Sequence, residues 1–252
     1  MLAEHTSNVM EPNDLFSINI LGVSFPISDS IIMMWIIMAI LIILAFVFTR
    51  NLKAIPKGKQ NVVEIVVETI NNLIKGNMGH HWKAFAPYFG TIILFLLFAN
   101  TAGIFSILPT GEELYKITGI EFFEHLPHFS IIPPTKDLNV TVTMALMTVS
   151  LILFSGLKYK GFKGWLKSFL KPSPVMLPFH ILDYGTRTLS LSLRLFGNIL
   201  AGYIIIEMLY EGAIYIKPIV PVASAFFDLF DAGLQAYIFV FLSSIYISEA
   251  IE

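Results

Sequence analysis

Three stretches of this chain are long, apolar and uncharged: Ser30 to Thr49, Ala84 to Thr110 and Leu138 to Leu157. The first holds about 20 residues, which as an α-helix is about 30 Å long, the thickness of the hydrocarbon core of a bilayer. A soluble domain of 252 residues has no interior in which to hide three such segments. Composition agrees, with 56% hydrophobic residues and 13% charged ones, against about 25% charged in an ordinary soluble domain. Two more segments, Pro172 to about Glu211 and Lys217 to Glu252, are as apolar and as long, but ionisable residues sit inside them. The chain therefore reads as an all-α integral membrane protein with five transmembrane segments. It forms a single membrane domain, 1–252. Residues 1–29 make an external N-terminal segment, 30–157 the first three spans with their connections, and 172–252 a helical hairpin.

Several classes of function fall away. There is no cysteine, which excludes a disulfide scaffold, a thiolate zinc site, an iron–sulfur centre and a thiol nucleophile. A net charge of −2 leaves no global basic footprint for nucleic acid. The N-terminus carries acids but no Lys or Arg, so it lacks the basic region that opens a secretory signal peptide.

Lys and Arg sort between the connections. Arg50, Lys53, Lys57 and Lys59 follow the first span, and Lys158, Lys160, Lys163, Lys167 and Lys171 follow the third. The loop from Gly111 to Asp137 instead holds Glu112, Glu113, Glu121, Glu124 and Asp137 against Lys116 and Lys136. The positive-inside rule puts the N-terminus outside, the first and third connections in the cytoplasm, and the C-terminus inside. Asn61 to Ile74 has Glu64 and Glu68 on one helical face and Val and Ile around the rest. It reads as an interfacial helix along the cytoplasmic surface, or alternatively as a short helix packed on the bundle. Gly161 to Lys171 reads as an interface anchor built from Phe162, Trp165, Phe169 and lysines.

The last two segments carry the functional signal. Pro178 to Glu211 is about 50 Å long if helical, well beyond a core of about 30 Å. A steeply tilted hairpin accommodates that excess, as do two ordinary spans with protruding ends. Arg194 lies deep in the first of these helices, and the nearest formal charges are Arg187 before it and Glu207 after it. An arginine at the bilayer centre costs about 2.5–3.5 kcal/mol on insertion scales. It cannot escape by deprotonation. It requires an anion or a hydrated cavity, met by a salt bridge within the chain or by a partner. Ser190, Arg194, Asn198 and Ala201 recur at i, i+4 or i+3 and share a face, and Gly197 and Gly202 allow another helix close approach.

Acidic groups flank the arginine on both sides. Asp183, eleven residues earlier, is i, i+4 from Arg187, which suits either a local ion pair or an ion path towards the cytoplasm. His180 is one turn earlier still and reads as interfacial. On the outer side, Asp228 and Asp231 are i, i+3 on the second helix and Gln235 follows Asp231 at i+4, making a polar stripe on an apolar helix. Intramembrane carboxylates of this kind suit a proton relay. Glu207 joins them or is a membrane-edge carboxylate. The pattern is that of two separated polar routes for an ion, with the fixed charge of Arg194 blocking a direct leak between them.

At these residues the sequence closely resembles subunit a of the bacterial F-type ATP synthase. The resemblance is strongest in SLSLRLFGNILAG, Ser190 to Gly202, and LQAYIFVFLSSIYIS, Leu234 to Ser248, and weaker over the rest, including Pro87 to Pro109. It implies a non-catalytic Fo subunit of a bacterial cell membrane, with no cofactor. Arg194 would face a rotating ring of c subunits and draw a proton, or a sodium ion, from the ring carboxylate between two half-channels. Peripheral-stalk b subunits and, indirectly, the F1 head would be its other partners. Asn198 and Gln235 match polar positions flanking the arginine, and Asp183 a carboxylate of the cytoplasmic half-channel. One departure stands out: many bacterial members carry a Glu nine residues after the arginine, where this chain has Tyr203. The family's alternative is an acid seven residues before the glutamine, and Asp228 occupies that place.

Rival readings are weaker. A secondary transporter should carry an internal repeat or a pair of broken helices in corresponding halves, and neither is present in the sequence. A membrane metalloprotease would need H-E-x-x-H on a helix. Here there are His80 and His81, and Glu124, His125 and His128 in EHLPH, where Pro127 interrupts the helix.

Overall fold

The structure is a computed structural model that describes residues 14–20, 23–50, 52–53, 55–107, 133–169, 175, 177–211 and 219–251. It opens with a hairpin of two antiparallel strands, β1 (Asp14–Ile20) and β2 (Val23–Ser28). Ile20 pairs with Val23, Ile18 with Phe25 and Asp14 with Ser28, with an irregularity between Asp14 and Phe16. Apolar residues at every second position, Phe16, Ile18 and Ile20 facing Val23, Phe25 and Ile27, are the pattern of a pleated pair. The hairpin adds a small sheet to a chain that is otherwise helical.

The helices follow in order. They are α1 (Asp29–Thr49), α2 (Lys59–Met78), α3 (Trp82–Thr101), α4 (Leu138–Phe169) and α5 (Leu177–Glu211). The last span, Val220–Ile251, is one continuous helical segment. It comprises α6 (Val220–Ser224), a π-helical stretch (Ala225–Asp231) and α7 (Ala232–Ile251). Among the described residues, five helical segments are long and apolar enough to cross a membrane. They coincide with the five read from the sequence.

α1 is buried only at Ser30 and Ile37 and leaves Ile42, Ile43, Phe46 and Val47 uncovered, as a lipid-facing helix would. The core lies where α3, α4, α5 and α7 meet. Phe89 and Leu96, Ala145 and Ile152, Leu195, and Phe239, Val240 and Ile247 are there almost wholly removed from the surface. Between lipid-embedded helices such contacts gain from close packing and hydrogen bonds rather than from the hydrophobic effect. Several interhelical hydrogen bonds are present. Asn77 Nδ2 donates to Ser244 Oγ at 2.7 Å, and the Tyr88 and Thr148 hydroxyls lie 3.4 Å apart. Each such bond contributes about 0.6–2 kcal/mol.

α2 combines the two readings of its sequence. Ile70, Leu73, Ile74 and Met78 pack into the core, while Val62, Ile65, Val66 and Val67 remain exposed. Its C-terminal half is a packed helix, and its N-terminal half offers an apolar surface that the other described residues do not cover. The anchor stretch also does more than sit at an interface. α4 kinks at Gly161, whose φ of +69° is open to glycine and strained for other residues. Beyond the kink Trp165 folds back on Gly156, where an added Cβ would lie 3.0 Å from the indole. Phe169 then reaches His180 and Tyr184 of α5.

α5 and the last span run antiparallel. Arg187 meets Glu249, Asn198 meets Gln235, and Gly202 meets Phe227. From Arg187 to Gly202 α5 advances 15 positions while its partner advances 22 from Phe227 to Glu249. Unequal steps of this kind fit two helices that cross at an angle. At 1.5 Å per residue α5 is about 52 Å long.

Candidate ion-translocation site

Ionisable and polar side chains are arranged along α5 in three layers. Arg194 holds the middle one. Its guanidinium reaches Ser190 Oγ at 3.4 Å, one turn earlier on the same face. Among the described residues it has no ion pair. One turn later Asn198 Nδ2 donates to Gln235 Oε1 at 2.9 Å. Gln235 is 1% exposed, so this amide is fixed inside the protein and ties α5 to α7 beside the arginine. The face of α5 that carries Arg194 is otherwise uncovered. Leu189, Leu193 and Ser190 are exposed, and a Cβ built on Gly197 would meet nothing within 4 Å.

The second layer lies nine residues on, about 13 Å along the axis. At Gly202 a Cβ would stand 3.2 Å from Phe227, so a larger residue would crowd the π-helical stretch where glycine lets it come close. Because the helices run antiparallel, the next residue of each, Tyr203 and Asp228, lies just to either side of that contact, within about one helical turn of the other along the axis. Asp228 accepts a hydrogen bond from Ser224 of α6 and lies against Gly103, where a Cβ would be 2.7 Å from its Oδ1. Asp228 is thus wedged between its own helix and the 3₁₀ turn Ala102–Ile107 that follows α3. Lys136 lies over the Tyr203 ring, its Nζ 3.5 Å from the centroid. Asp231 is half-buried and makes no hydrogen bond or ion pair among the described residues. The side chain of Glu207 lies outside the described residues, as do Glu124, His125 and His128.

The polar stripe read on the last helix takes a different local form. Ala225–Asp231 is wound as a π-helix, so spacing counted at 3.6 residues per turn does not carry from Asp228 to Gln235. Asp228 packs towards α3 and Gln235 towards α5, rather than both lining one stripe.

The third layer lies on the other side of Arg194, about 16 Å away at Asp183. Arg187 bridges Asp183 at 2.8 Å and Glu249 at 3.0 Å, and stacks over Tyr246 at 4.5 Å. The cation is the buried member, with its side chain 15% exposed against 48% for Asp183 and 61% for Glu249. These groups line a cleft of about 130 Å³ together with Lys160, Trp165 and His180. His180 also packs edge-on against Phe169. Of the two readings of Asp183, the local ion pair is present, and it opens onto a cavity. Sequence reasoning missed Glu249, Ser224, Gly103 and Lys136. Glu249 had a weak signal as an acid on the last turn of the chain. The other three are placed by tertiary contact, and no local pattern announces them.

Fold and site together define a multi-pass α-helical membrane protein with ionisable groups layered along one long helix, the construction of an ion-translocating subunit. The sequence matches the family described as ATP synthase A chain over residues 31–248, and the chain belongs to that family. Its members are non-catalytic, ion-translocating components of the membrane Fo sector, which serves ATP synthesis.

Proposed function

We propose that this subunit passes protons through two offset half-channels at a rotating c-ring, coupling the ion gradient to ATP synthesis in the F1 head. The observation that carries this reading is Arg194, a permanent cation with no counter-ion among the described residues on an uncovered face of α5. Such a charge within a membrane calls for an anion from outside the chain, and a carboxylate on each ring subunit supplies one. Arg194 would draw the ring carboxylate out of its protonated state as each subunit passes. Ser190 and the Asn198–Gln235 pair would hold the guanidinium and its helix in place.

Asp228, beside the Gly202–Phe227 contact, would load and unload the outer route, with Asp231 and Glu207 near it. Asp183 and His180, in the cleft of the third layer, would serve the cytoplasmic route. The separation of these groups along α5, with the arginine between them, supports two routes that do not join. Peripheral-stalk b subunits would hold the subunit still, and the uncovered surfaces of α1 and α2 suit such contacts. The charge sorting of the loops supports an N-terminus outside and a C-terminus in the cytoplasm, and the resemblance to the bacterial subunit points to a bacterial plasma membrane. Sodium in place of the proton is the second reading of the coupling ion.

Arg194→Ala tests the core of the proposal. The complex should assemble in normal amount while ATP-driven acidification of inverted vesicles disappears. Acidification at the wild-type rate would end the proposal.

A further inference from the structure

The short segment before α4 is built into the bundle more firmly than a connection requires. Pro133 and Pro134 are buried and Thr135 is fully buried. Thr135 Oγ1 donates to Oδ1 of Asn100, itself 1% exposed, at 2.6 Å. The turn closes on itself through Lys136 N–H to Pro133 O at 3.0 Å. Its two ends reach the outer layer of the site from different sides. Pro133 Cγ lies 3.1 Å from the Cβ position of Gly103, the same position that stands 2.7 Å from Asp228 Oδ1. Lys136 at the other end stacks on Tyr203, the neighbour of Gly202, which packs on Phe227 beside Asp228. One turn of four residues is therefore clamped to α3 by an amide, to α5 by a cation–π contact, and abuts the glycine against which Asp228 rests.

We propose that the Pro133–Lys136 turn forms the sill of the outer route and that Lys136, through its contact with Tyr203, is a positioning residue that sets how fast ions reach Asp228. The inference rests on the reading of Asp228 as the outer-route carboxylate. With the contact intact, the turn holds Gly103 and the Asp228 carboxylate in one arrangement. Without it, the turn loses its cation–π tie to α5 while Thr135 still holds it to α3, and the carboxylate's neighbour is less firmly fixed. An aromatic ring and any cation suffice for the contact, so the chemistry of the clamp, not the identity of its residues, is what matters.

The test measures passive ion conduction in inverted vesicles stripped of F1, per assembled complex. Lys136→Gln and Tyr203→Leu should each lower conduction about threefold to tenfold, the range that loss of one cation–π contact supports. The double variant should be no worse than either single one, because both remove the same contact. Lys136→Arg and Tyr203→Phe, which keep a cation and a ring, should stay within about twofold of wild type. Unchanged conduction in both Lys136→Gln and Tyr203→Leu, multiplicative losses in the double variant, or a Lys136→Arg as slow as Lys136→Gln would each overturn the proposal. Asp228→Asn in the same vesicles separates the two levels of inference. If it conducts normally, the reading of Asp228 fails. If it is inactive while the Lys136 and Tyr203 variants are unaffected, the sill alone fails.

Discussion

Replacing Asn198 by leucine separates what its amide does for stability from what it does for transport. Asn198 Nδ2 donates to Gln235 Oε1 at 2.9 Å, and Gln235 is 1% exposed. In Asn198→Leu the glutamine oxygen faces an alkyl group with no water to replace the lost donor. Stranding a buried acceptor costs about 1–3 kcal/mol. Transmembrane hydrogen bonds average nearer about 0.6 kcal/mol, so a loss of about 1–2 kcal/mol is expected. The Asn198→Leu/Gln235→Leu double variant removes both polar groups and should recover most of that loss, because nothing is left unpaired. Ion flow should not recover with it. Asn198 is one turn from Arg194 on the same face, and its bond to α7 fixes that turn. Displacing the guanidinium at a cost of about 1–2 kcal/mol in the rate-limiting step slows transport about 5- to 30-fold. Retention of the subunit in heated, detergent-solubilised complex reports stability, and ATP-driven acidification of inverted vesicles reports flow. If acidification returned with stability in the double variant, the pair would be a structural clamp with no part in placing Arg194. If the single variant were as stable as wild type, the stranded-acceptor argument would be wrong.

Three further outcomes follow from the same geometry. Asp228→Asn should reduce proton flow by about a hundredfold or more, the scale of losing a proton-transfer group, whereas Tyr203→Phe should leave it near normal; equal severity in an acidification assay would refute the assignment of the outer acid to Asp228. Gly103→Ala places a methyl 2.7 Å from Asp228 Oδ1 and 3.1 Å from Pro133 Cγ, an overpacking of about 1–3 kcal/mol, and should slow passive conduction while Gly76→Ala, at an exposed position of α2 with nothing within 4 Å, does not. Arg187→Gln removes two ion pairs from a largely buried cation and should lower the stability of the purified complex by about 1–2 kcal/mol, against less for Glu249→Gln at an exposed carboxylate; thermal retention of the subunit that is identical in all three proteins would remove the bridge from the account.

The parts of this molecule that could be read from its sequence are those that a bilayer dictates. The thickness of the hydrocarbon core fixes the length of each span, and the cost of charge within it makes Arg194 conspicuous without any partner in view. The 3.6-residue period then puts Ser190 and Asn198 on its face, as the structure has them. What could not be read depends on contacts between distant segments or on departures from that period. Glu249 meets Arg187 across 62 positions, and Gly103 meets Asp228 because two backbones approach where no side chain intervenes. The β-hairpin is not among the elements read from the sequence, where residues 1–29 are only an external segment; the alternation of Phe16, Ile18 and Ile20 with Ser17 and Asn19 is short beside spans whose signal is far stronger. The π-helical stretch has no local signature at all, and with it the expected stripe from Asp228 to Gln235 was misphased.

That stretch makes chain length, more than residue identity, the controlled quantity at this point of the last span. One wide turn takes up about one residue more than an α-helix would, which rotates everything upstream by about 100° relative to everything downstream. Asp228 can therefore look towards Gly103 while Gln235 looks towards Asn198, though a regular helix would point both the same way. Deleting a single residue between Ala225 and Asp231 would restore the regular period, keep every acid and amide, and swing the carboxylate out of its seat. The segment behaves as a phase-setting insert, for which an insertion or deletion is a more drastic change than most substitutions.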